Sequence, residues 1–363
     1  MFKRKIGFIL VLILLLSVFT STYASDKSKS KEQYQLGADF HTNFEAPFLV
    51  DAYVAQQYPL SSVSGADIIA QLPEGAKAQV VSDGYGASIF SQMGLIPDMS
   101  EYDAVKKCNN YAALQQALYP DKLIVYAGVL PNRPYTMDEI KRCHEQLKLP
   151  GLKVYLPNSG LDLSQQDSVN KLKEIFSYCE KHEVPIILHQ RGGTDEVYGK
   201  DEAAELLNII FQYPDLRIQI SHMGGYGGLK KPTIDWLTEA VELLSKNPKA
   251  HVYLCTSATI ITENDHPILY AYHGATSKED LQSMADLIRK IGTDKIVYGT
   301  DYPIFNYRDK THLQSVIENL PLNSKELKSI FKNTPEKTLF KGIKINLPTV
   351  EYLDGLGITQ DNY

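Results

Sequence analysis

The chain has 363 residues, of which 44% are hydrophobic and 22% are charged, and its formal net charge is -6. This composition is typical of a soluble globular protein with a substantial core, in one large domain or two ordinary ones. The negative charge, with no block of basic residues beside aromatic ones, argues against a nucleic-acid partner. We therefore expect a small-molecule substrate as the partner, and a homo-oligomer is a further possibility.

The amino terminus has the pattern of a secretory signal. Basic residues at positions 3–5 precede an uncharged run at positions 6–19, and small residues follow up to Ala24. This pattern predicts a signal peptide over residues 1–24, cleaved after Ala24, with residues 25–35 as a flexible lead-in. The apolar run is shorter than the roughly 20 residues of a spanning helix, so an uncleaved anchor is the less favoured alternative. We expect an exported protein, periplasmic or secreted, with no membrane association after cleavage.

Eight short β-rich runs alternate with longer helical stretches along the rest of the chain. Several runs are almost continuously apolar, as expected of parallel strands that are buried on both faces. The alternation predicts an α/β protein with a (β/α)8 barrel over residues 36–345 and a C-terminal extension over residues 346–363. The predicted strands are Leu36–His41, Ala78–Ser82, Leu123–Val129, Leu152–Leu156, Pro185–His189, Leu216–Ser221, Val252–Thr256 and Ile296–Tyr298.

Three histidines and an aspartate lie at or near the ends of four different predicted strands: His41, His189, His222 and Asp301. In a (β/α)8 barrel, chemistry takes place at the carboxyl ends of the strands, where loops from different strands meet. Imidazole and carboxylate groups are also the ligands that Zn2+ favours. Each residue alone is more often an ordinary polar group, but four of them together predict one metal-binding pocket and an enzyme.

Further candidates surround this predicted pocket. Side chains two apart on a strand face the same way, so Asp39, His41 and Asn43 are all predicted to point inward, with Asn43 as a weaker metal ligand. Lys153 lies in the fourth predicted strand, where it either reaches a substrate anion or points outward between helices. Arg191 suits a carboxylate or phosphate clamp, and its alternative is a surface arginine on a loop.

The ordered motifs DFH, GLKVY, PIILHQ, SHMGG and YGTDYP resemble the amidohydrolase superfamily over roughly Gly37 to Phe340. The similarity is to its amidohydrolase-related branch, which contains hydrolases and decarboxylases of the aminocarboxymuconate-semialdehyde type. The resemblance implies a distorted (β/α)8 TIM barrel of the metal-dependent hydrolase type with a mononuclear site. It also implies that His41, His189 and Asp301 are metal ligands and that His222 is the catalytic histidine, with Asp301 moving protons as well.

Asn43 departs from the family pattern, because a second histidine is usual two residues after the first. An amide oxygen is a poorer zinc ligand than an imidazole. Two alternatives follow: Asp39 and His41 imitate the acid-x-His pair of some family decarboxylases, or the site is weak, prefers Mn2+ or works without metal. We expect one divalent metal ion, with zinc as the first choice and manganese as the alternative.

The resulting functional hypothesis is an exported, metal-dependent hydrolase in which activated water attacks a small ester, lactone or amide. Two alternatives remain. One is a metal-dependent nonoxidative decarboxylase on the same barrel. The other is a binding protein whose catalysis is impaired by the Asn43 replacement.

Overall fold

A computed structural model of the chain describes residues 34–55, 61–190, 200–225, 227–262, 270, 274–304, 316 and 318–363. Tyr34–Tyr363 form one compact unit. The predicted signal peptide and Arg191 lie outside the described residues, so these two assignments stay predictions. None of the helices in the described ranges is both long enough and apolar enough to cross a membrane.

Eight parallel strands follow one another around the sheet in chain order, each paired with the next. All eight predicted strands are present, and their bounds agree with the prediction to within two residues. The predicted (β/α)8 barrel is therefore confirmed. The strands are β1 Ala38–Asn43, β2 Lys77–Val81, β3 Leu123–Val129, β4 Gly151–Tyr155, β5 Ile186–His189, β6 Arg217–Ile220, β7 His251–Cys255 and β8 Ile296–Val297.

Backbone hydrogen bonds join the first strand to the last. Phe40 N–H donates to the Tyr298 carbonyl at 2.8 Å, and Asp301 N–H donates to the His41 carbonyl at 2.8 Å. These bonds bring the two edges of the sheet together, so that His41 and Asp301 become neighbours although 260 residues separate them.

Helices surround the strands, and their ends follow simple capping rules. Ser277 accepts a hydrogen bond from Asp280 N–H at the start of one helix, and Gly292, with a φ of 99°, ends it. The helices are α1 Val50–Ala55, α2 Gly65–Gln71, α3 Gly84–Gln92, α4 Glu101–Leu118, α5 Thr136–Lys141, α6 Gln166–Lys181, α7 Lys200–Ile210, α8 Lys231–Lys246, α9 Lys278–Ile291, α10 Ser324–Phe331 and α11 Val350–Asp354. A π-helical turn, Arg142–Gln146, continues α5.

The core has an outer layer between strands and helices and a smaller cluster inside the barrel. Phe340 belongs to the inner cluster, where its ring packs edge-on against Tyr126 with centroids 6.1 Å apart. Arg217, the first residue of β6, holds this segment by donating to the carbonyls of Leu339 and Lys341. Full burial of a phenylalanine is worth about 1.5–3 kcal/mol, so this segment stabilises the amino-terminal end of the barrel and leaves the carboxyl end for the site.

The C-terminal segment contacts the outside of the helical layer. Tyr363 packs its ring 5.3 Å from that of Tyr111 on α4 and donates its hydroxyl to the Lys107 carbonyl. Tyr352 on α11 donates to the Gln146 carbonyl. These contacts agree with an extension that packs on the outside of the barrel, while its exact boundary at residue 346 stays a prediction.

Candidate metal centre and active site

A bulge in β1 decides which of its side chains enter the barrel. Asp39 pairs with Ala78 and Thr42 pairs with Val80, so β1 has one residue more than β2 between these pairs. The extra residue reverses the alternation, and Asp39 therefore faces the opposite side from His41 and Asn43. The expectation that all three point inward is wrong for Asp39.

The carboxylate of Asp39 instead holds the segment that follows β8. It accepts hydrogen bonds from the backbone N–H and the hydroxyl of Thr300, the residue that precedes Asp301. Burial raises the pKa of Asp39 to about 7, against the lowering effect of these bonds. Asp39 thus positions the Asp301 backbone, and this geometry does not support an acid-x-His ligand pair made with His41.

Three side chains, one on β1 and two in the segments that follow β6 and β8, converge at the carboxyl end of the barrel. The ligand atoms of His41, His222 and Asp301 all lie within 4.8 Å of one another, and all three residues are buried. His41 Nε2 is 3.6 Å from Asp301 Oδ1. Two imidazoles and a carboxylate in this arrangement fit one divalent metal ion.

The backbone is strained where two of these residues leave their strands. Asp301 has a φ of 67° and His222 a φ of 54°, both in the left-handed region that residues with side chains rarely adopt. Such conformations cost about 1–3 kcal/mol each and concentrate at functional sites. The fold therefore accepts local strain in order to direct both side chains toward His41.

Ser257, which follows β7, fixes the orientation of both imidazoles. Its hydroxyl lies 3.0 Å from His41 Nδ1, and His222 Nδ1 lies 3.0 Å from the Ser257 carbonyl and 3.0 Å from its hydroxyl. Because these contacts engage the Nδ1 atoms, Nε2 is the atom of each ring that a metal would bind. Hydrogen bonds of this kind set the tautomer and direction of metal-binding histidines.

Two further predicted ligands lie beside the three converging residues. The His189 ring centroid is 4.5 Å from that of His222, but His189 is not one of the three residues whose ligand atoms cluster. Asn43 donates its amide N–H to Asp301 Oδ1 at 3.1 Å and so orients that carboxylate. The ligand roles of His189 and Asn43 stay predictions, and so does the catalytic role of His222, which lies among the possible metal ligands.

Lys153 points into the barrel, which decides between the two alternatives that its strand position left open. Its Nζ donates to Ser221 Oγ at 3.2 Å and lies 3.3 Å from His41 Nε2, and the residue is 1% exposed. Burial lowers the pKa of Lys153 to about 7, and the nearby Asp301 carboxylate opposes this shift. A basic group therefore lies beside the candidate metal position, and its contact with substrate stays a prediction.

Burial controls the protonation of the acid and the imidazoles. It raises the pKa of Asp301 to about 7, although the Asn43 hydrogen bond and the charge of Lys153 lower it. Burial also lowers the pKa values of His41 and His189, with further lowering by neighbouring imidazoles and Lys153. Neutral imidazoles are the form that binds a metal.

A second group of polar residues at the barrel mouth was missed at the sequence level. We call Glu45, Tyr53, Asp83 and Tyr85 the mouth cluster. Tyr53 donates its hydroxyl to Asp83 Oδ2, and burial raises the pKa values of Glu45 and Asp83, that of Asp83 to about 7. Asp83 follows β2 as Asp301 follows β8, so the strand-end rule used above would have found it.

Tyrosine rings connect the mouth cluster to the histidines. Tyr85 stacks on Tyr155 at the end of β4, with centroids 4.5 Å apart and planes 18° apart. Tyr155 in turn meets His189 edge-on at 4.8 Å. The carboxyl end of the barrel thus combines a metal-binding group with an aromatic wall.

The known proteins to which this chain is similar include decarboxylases. The chain is 23% identical to gamma-resorcylate decarboxylase of Rhizobium sp. (strain MTP-10005) over 237 residues, which are 58% of this chain and 69% of that protein. A 5-carboxyvanillate decarboxylase from Novosphingobium aromaticivorans, complexed with manganese and a nitrobenzoic acid, superposes with a TM-score of 0.54 at 16% identity, covering 84% of this chain and 96% of that one. An amidohydrolase from Burkholderia multivorans with bound zinc superposes with a TM-score of 0.57 at 11% identity, covering 86% and 100%.

These relatives correct the predicted reaction. The expectation of a hydrolase acting on an ester, lactone or amide is contradicted, because the curated relative is a decarboxylase and so are several structural neighbours. The hydrolase prediction was based on the set of metal ligands and on the family resemblance. Neither distinguishes the two reactions, because hydrolases and decarboxylases of this family share both. The expected divalent metal is supported, since neighbouring structures hold manganese or zinc and the converging His, His and Asp side chains fit such an ion.

The sequence model of the amidohydrolase family matches residues 93–341, which is well over half of the chain. The match includes β3 to β8 and therefore His222 and Asp301, while His41 lies before it. The predicted membership is confirmed, and the chain belongs to the amidohydrolase family.

Proposed function

We propose that the protein is a metal-dependent nonoxidative decarboxylase that acts on a small aromatic carboxylic acid. The observation that carries the proposal is the convergence of His41, His222 and Asp301 at the barrel mouth, next to the buried Lys153. The similarity to gamma-resorcylate decarboxylase supports this choice of reaction within the family. The tyrosine wall beside His189 suits a flat ring, because aromatic faces and edges attract one another.

The reaction exchanges a carboxylate for a proton on one ring carbon. The carbon–carbon bond to the carboxylate breaks, a carbon–hydrogen bond forms, and carbon dioxide leaves. One proton is consumed per turnover, and no oxidant or reductant is needed. A bound divalent ion supplies positive charge that orients the carboxylated ring and stabilises negative charge on it.

The side chains of this protein divide the remaining work. Lys153 is a buried amino group that attracts the substrate carboxylate toward the site. Asp301 is buried at the mouth of the barrel beside His41, where it is positioned to donate the proton to the ring carbon. Asn43 holds the Asp301 carboxyl group in place, and the low exposure of the site limits competing water.

Export is part of the proposal, because the basic start, apolar run and small residues at positions 3–24 have the pattern of a signal peptide. Amino-terminal sequencing of the protein recovered from outside the cytoplasm tests it. The expected new terminus is Ser25. An intact Met1 on the exported protein contradicts the cleavage.

Carbon dioxide release from a panel of hydroxylated and methoxylated benzoic acids tests the activity. The protein loaded with Mn2+ or Zn2+ should release one CO2 per decarboxylated ring formed from at least one acid. Asp301→Asn should lower kcat by at least about 10^3, since it removes the proposed proton donor. The exposed Asp294→Asn serves as the control and should leave the rate unchanged. No CO2 from any acid, or an undiminished rate in Asp301→Asn, contradicts the proposal.

A further inference from the structure

The backbone register places two acids of the mouth cluster side by side on the inner face of the barrel. Asn43 on β1 pairs with Val81 on β2, and Phe44 N–H continues the ladder by donating to the Val81 carbonyl at 3.0 Å. Val81 belongs to the cluster of side chains inside the barrel. Since strand side chains alternate, Glu45 and Asp83, two residues further along each chain, lie above them at the mouth.

The Glu45 carboxyl group is buried at the mouth of the barrel. The residue is 1% exposed, and neither carboxyl oxygen makes a hydrogen bond to any part of the chain that the structure describes. The Tyr53 hydroxyl lies beside Glu45, but its proton is donated to Asp83 Oδ2. Leaving a buried carboxyl group in this condition is unfavourable, and a bound group that forms a hydrogen bond with it would offset this cost.

The mouth cluster lies close to the metal-binding residues. Glu45 interacts electrostatically with both Asp83 and Asp301, and Tyr85 interacts with the same three acids and with Tyr155. Tyr85 and Tyr155 form the stacked pair described above. The two acids, the tyrosine pair and the metal-binding residues therefore all lie at the carboxyl end of the barrel.

We propose that Glu45, with Asp83 beside it, binds a hydroxyl group on the ring of the substrate. The inference rests on the proposed function, because it assumes an aromatic acid as the substrate. A hydroxyl group donates a hydrogen bond to a carboxylate and accepts one from a carboxylic acid, so it satisfies Glu45 in either form. A methoxy group has no proton to donate, and a ring hydrogen offers neither function. The mouth cluster is therefore a specificity site for hydroxylated rings.

Isothermal titration calorimetry with benzoate, the three monohydroxybenzoates and their methoxy counterparts tests this assignment. The Mn2+-loaded wild-type protein should bind at least one hydroxybenzoate at least tenfold more tightly than benzoate and than its methoxy counterpart. Sites built to bind a hydroxyl group discriminate strongly because their polar groups are otherwise unpaired. Glu45→Met should reduce the preference to less than threefold and leave the affinity for benzoate within about twofold. Glu45→Gln, whose amide can still donate and accept hydrogen bonds, should keep most of the preference for the hydroxylated ring.

A matched control comes from the same strand pair. Gln79 on β2 is 0% exposed, and its side-chain amide makes no hydrogen bond within the described residues. Gln79→Met removes a buried polar group of similar size four residues before Asp83, and it should leave the hydroxyl preference unchanged. Thermal melts of Glu45→Met should show equal or higher stability, since the variant removes a buried carboxyl group. Glu45→Ala replaces Glu45→Met, under the same criteria, if the latter does not fold.

Three results would overturn the assignment: no tenfold preference in the wild type, an intact preference in Glu45→Met, or an equal loss of affinity for benzoate and the hydroxybenzoates. Binding does not require turnover. A wild type that prefers the hydroxylated ring but releases no CO2 would therefore refute the proposed reaction and leave the hydroxyl assignment standing. Decarboxylation without hydroxyl preference would do the reverse.

Discussion

Ser257 offers the sharpest test of how the metal-binding group is held. Its hydroxyl contacts Nδ1 of both His41 and His222 at 3.0 Å, and the residue is 0% exposed. Ser257→Ala removes the hydroxyl contact to His41 while the backbone carbonyl still holds His222. Loss of such an orienting hydrogen bond lowers metal affinity about 10- to 100-fold, which corresponds to about 1.4–2.7 kcal/mol.

The measurement is a competition between metal-free protein and a chromophoric chelator for Zn2+ and for Mn2+. Ser82→Ala is the matched control, because Ser82 is also 0% exposed and follows a barrel strand, yet its hydroxyl makes no hydrogen bond within the described residues. The control should bind metal within about twofold of the wild type. If Ser257→Ala also stays within about threefold, or Ser82→Ala loses as much as Ser257→Ala, the orienting role of Ser257 is refuted.

Three further predictions concern stability. Gly224→Ala should destabilise the fold by about 3 kcal/mol or more in urea unfolding, because Gly224 has a φ of 86° and a Cβ there would lie 2.0 Å from the Trp236 ring. A loss under 1 kcal/mol would contradict the packing. Burial raises the pKa of Asp83 from 3.8 to about 7, so the unfolded state loses its proton first and the contribution of Asp83 to stability should fall by about 3 kcal/mol as pH rises from 4 to 7. Asp83→Asn should flatten this slope in metal-free protein, and an unchanged slope would refute the cause. Asn323→Ala should cost about 1 kcal/mol in the same assay, since its side chain caps α10, and no loss would contradict the cap.

The barrel was predictable because its signals are local. Each strand is a short apolar run, and helices such as α6 carry their apolar residues on one stripe. Residues at strand ends then follow from the fold, since all eight ends meet at one mouth. This reasoning led to His41, His222 and Asp301 without coordinates, and the structure brings them together.

The details of the site depended on backbone features that sequence patterns do not specify. The bulge in β1 turns Asp39 away from His41, and regular alternation gives no warning of an extra residue. No sequence pattern specifies the positive φ values of His222 and Asp301, although Asp and His adopt this region more readily than most residues. The residues alone also did not determine which reaction the site supports, because hydrolysis and decarboxylation share the same metal-ligand set.

Several ionisable groups share the carboxyl end of this barrel with few opposite charges among the described residues. Asp83 and Asp301 both have pKa values raised by burial to about 7, and the Lys153 pKa is lowered to about 7. Burying such groups is unfavourable unless they are hydrogen-bonded or paired. A bound divalent ion and a bound substrate would both stabilise this arrangement, and we therefore expect either ligand to raise the melting temperature.

Anomalous diffraction from crystals grown with Mn2+ or Zn2+ tests the metal assignment most directly. A single strong peak should lie within about 2.0–2.3 Å of Nε2 of His41, Nε2 of His222 and a carboxylate oxygen of Asp301. The absence of a peak among these three side chains, or a fully occupied ion elsewhere in the barrel, would contradict the metal assignment.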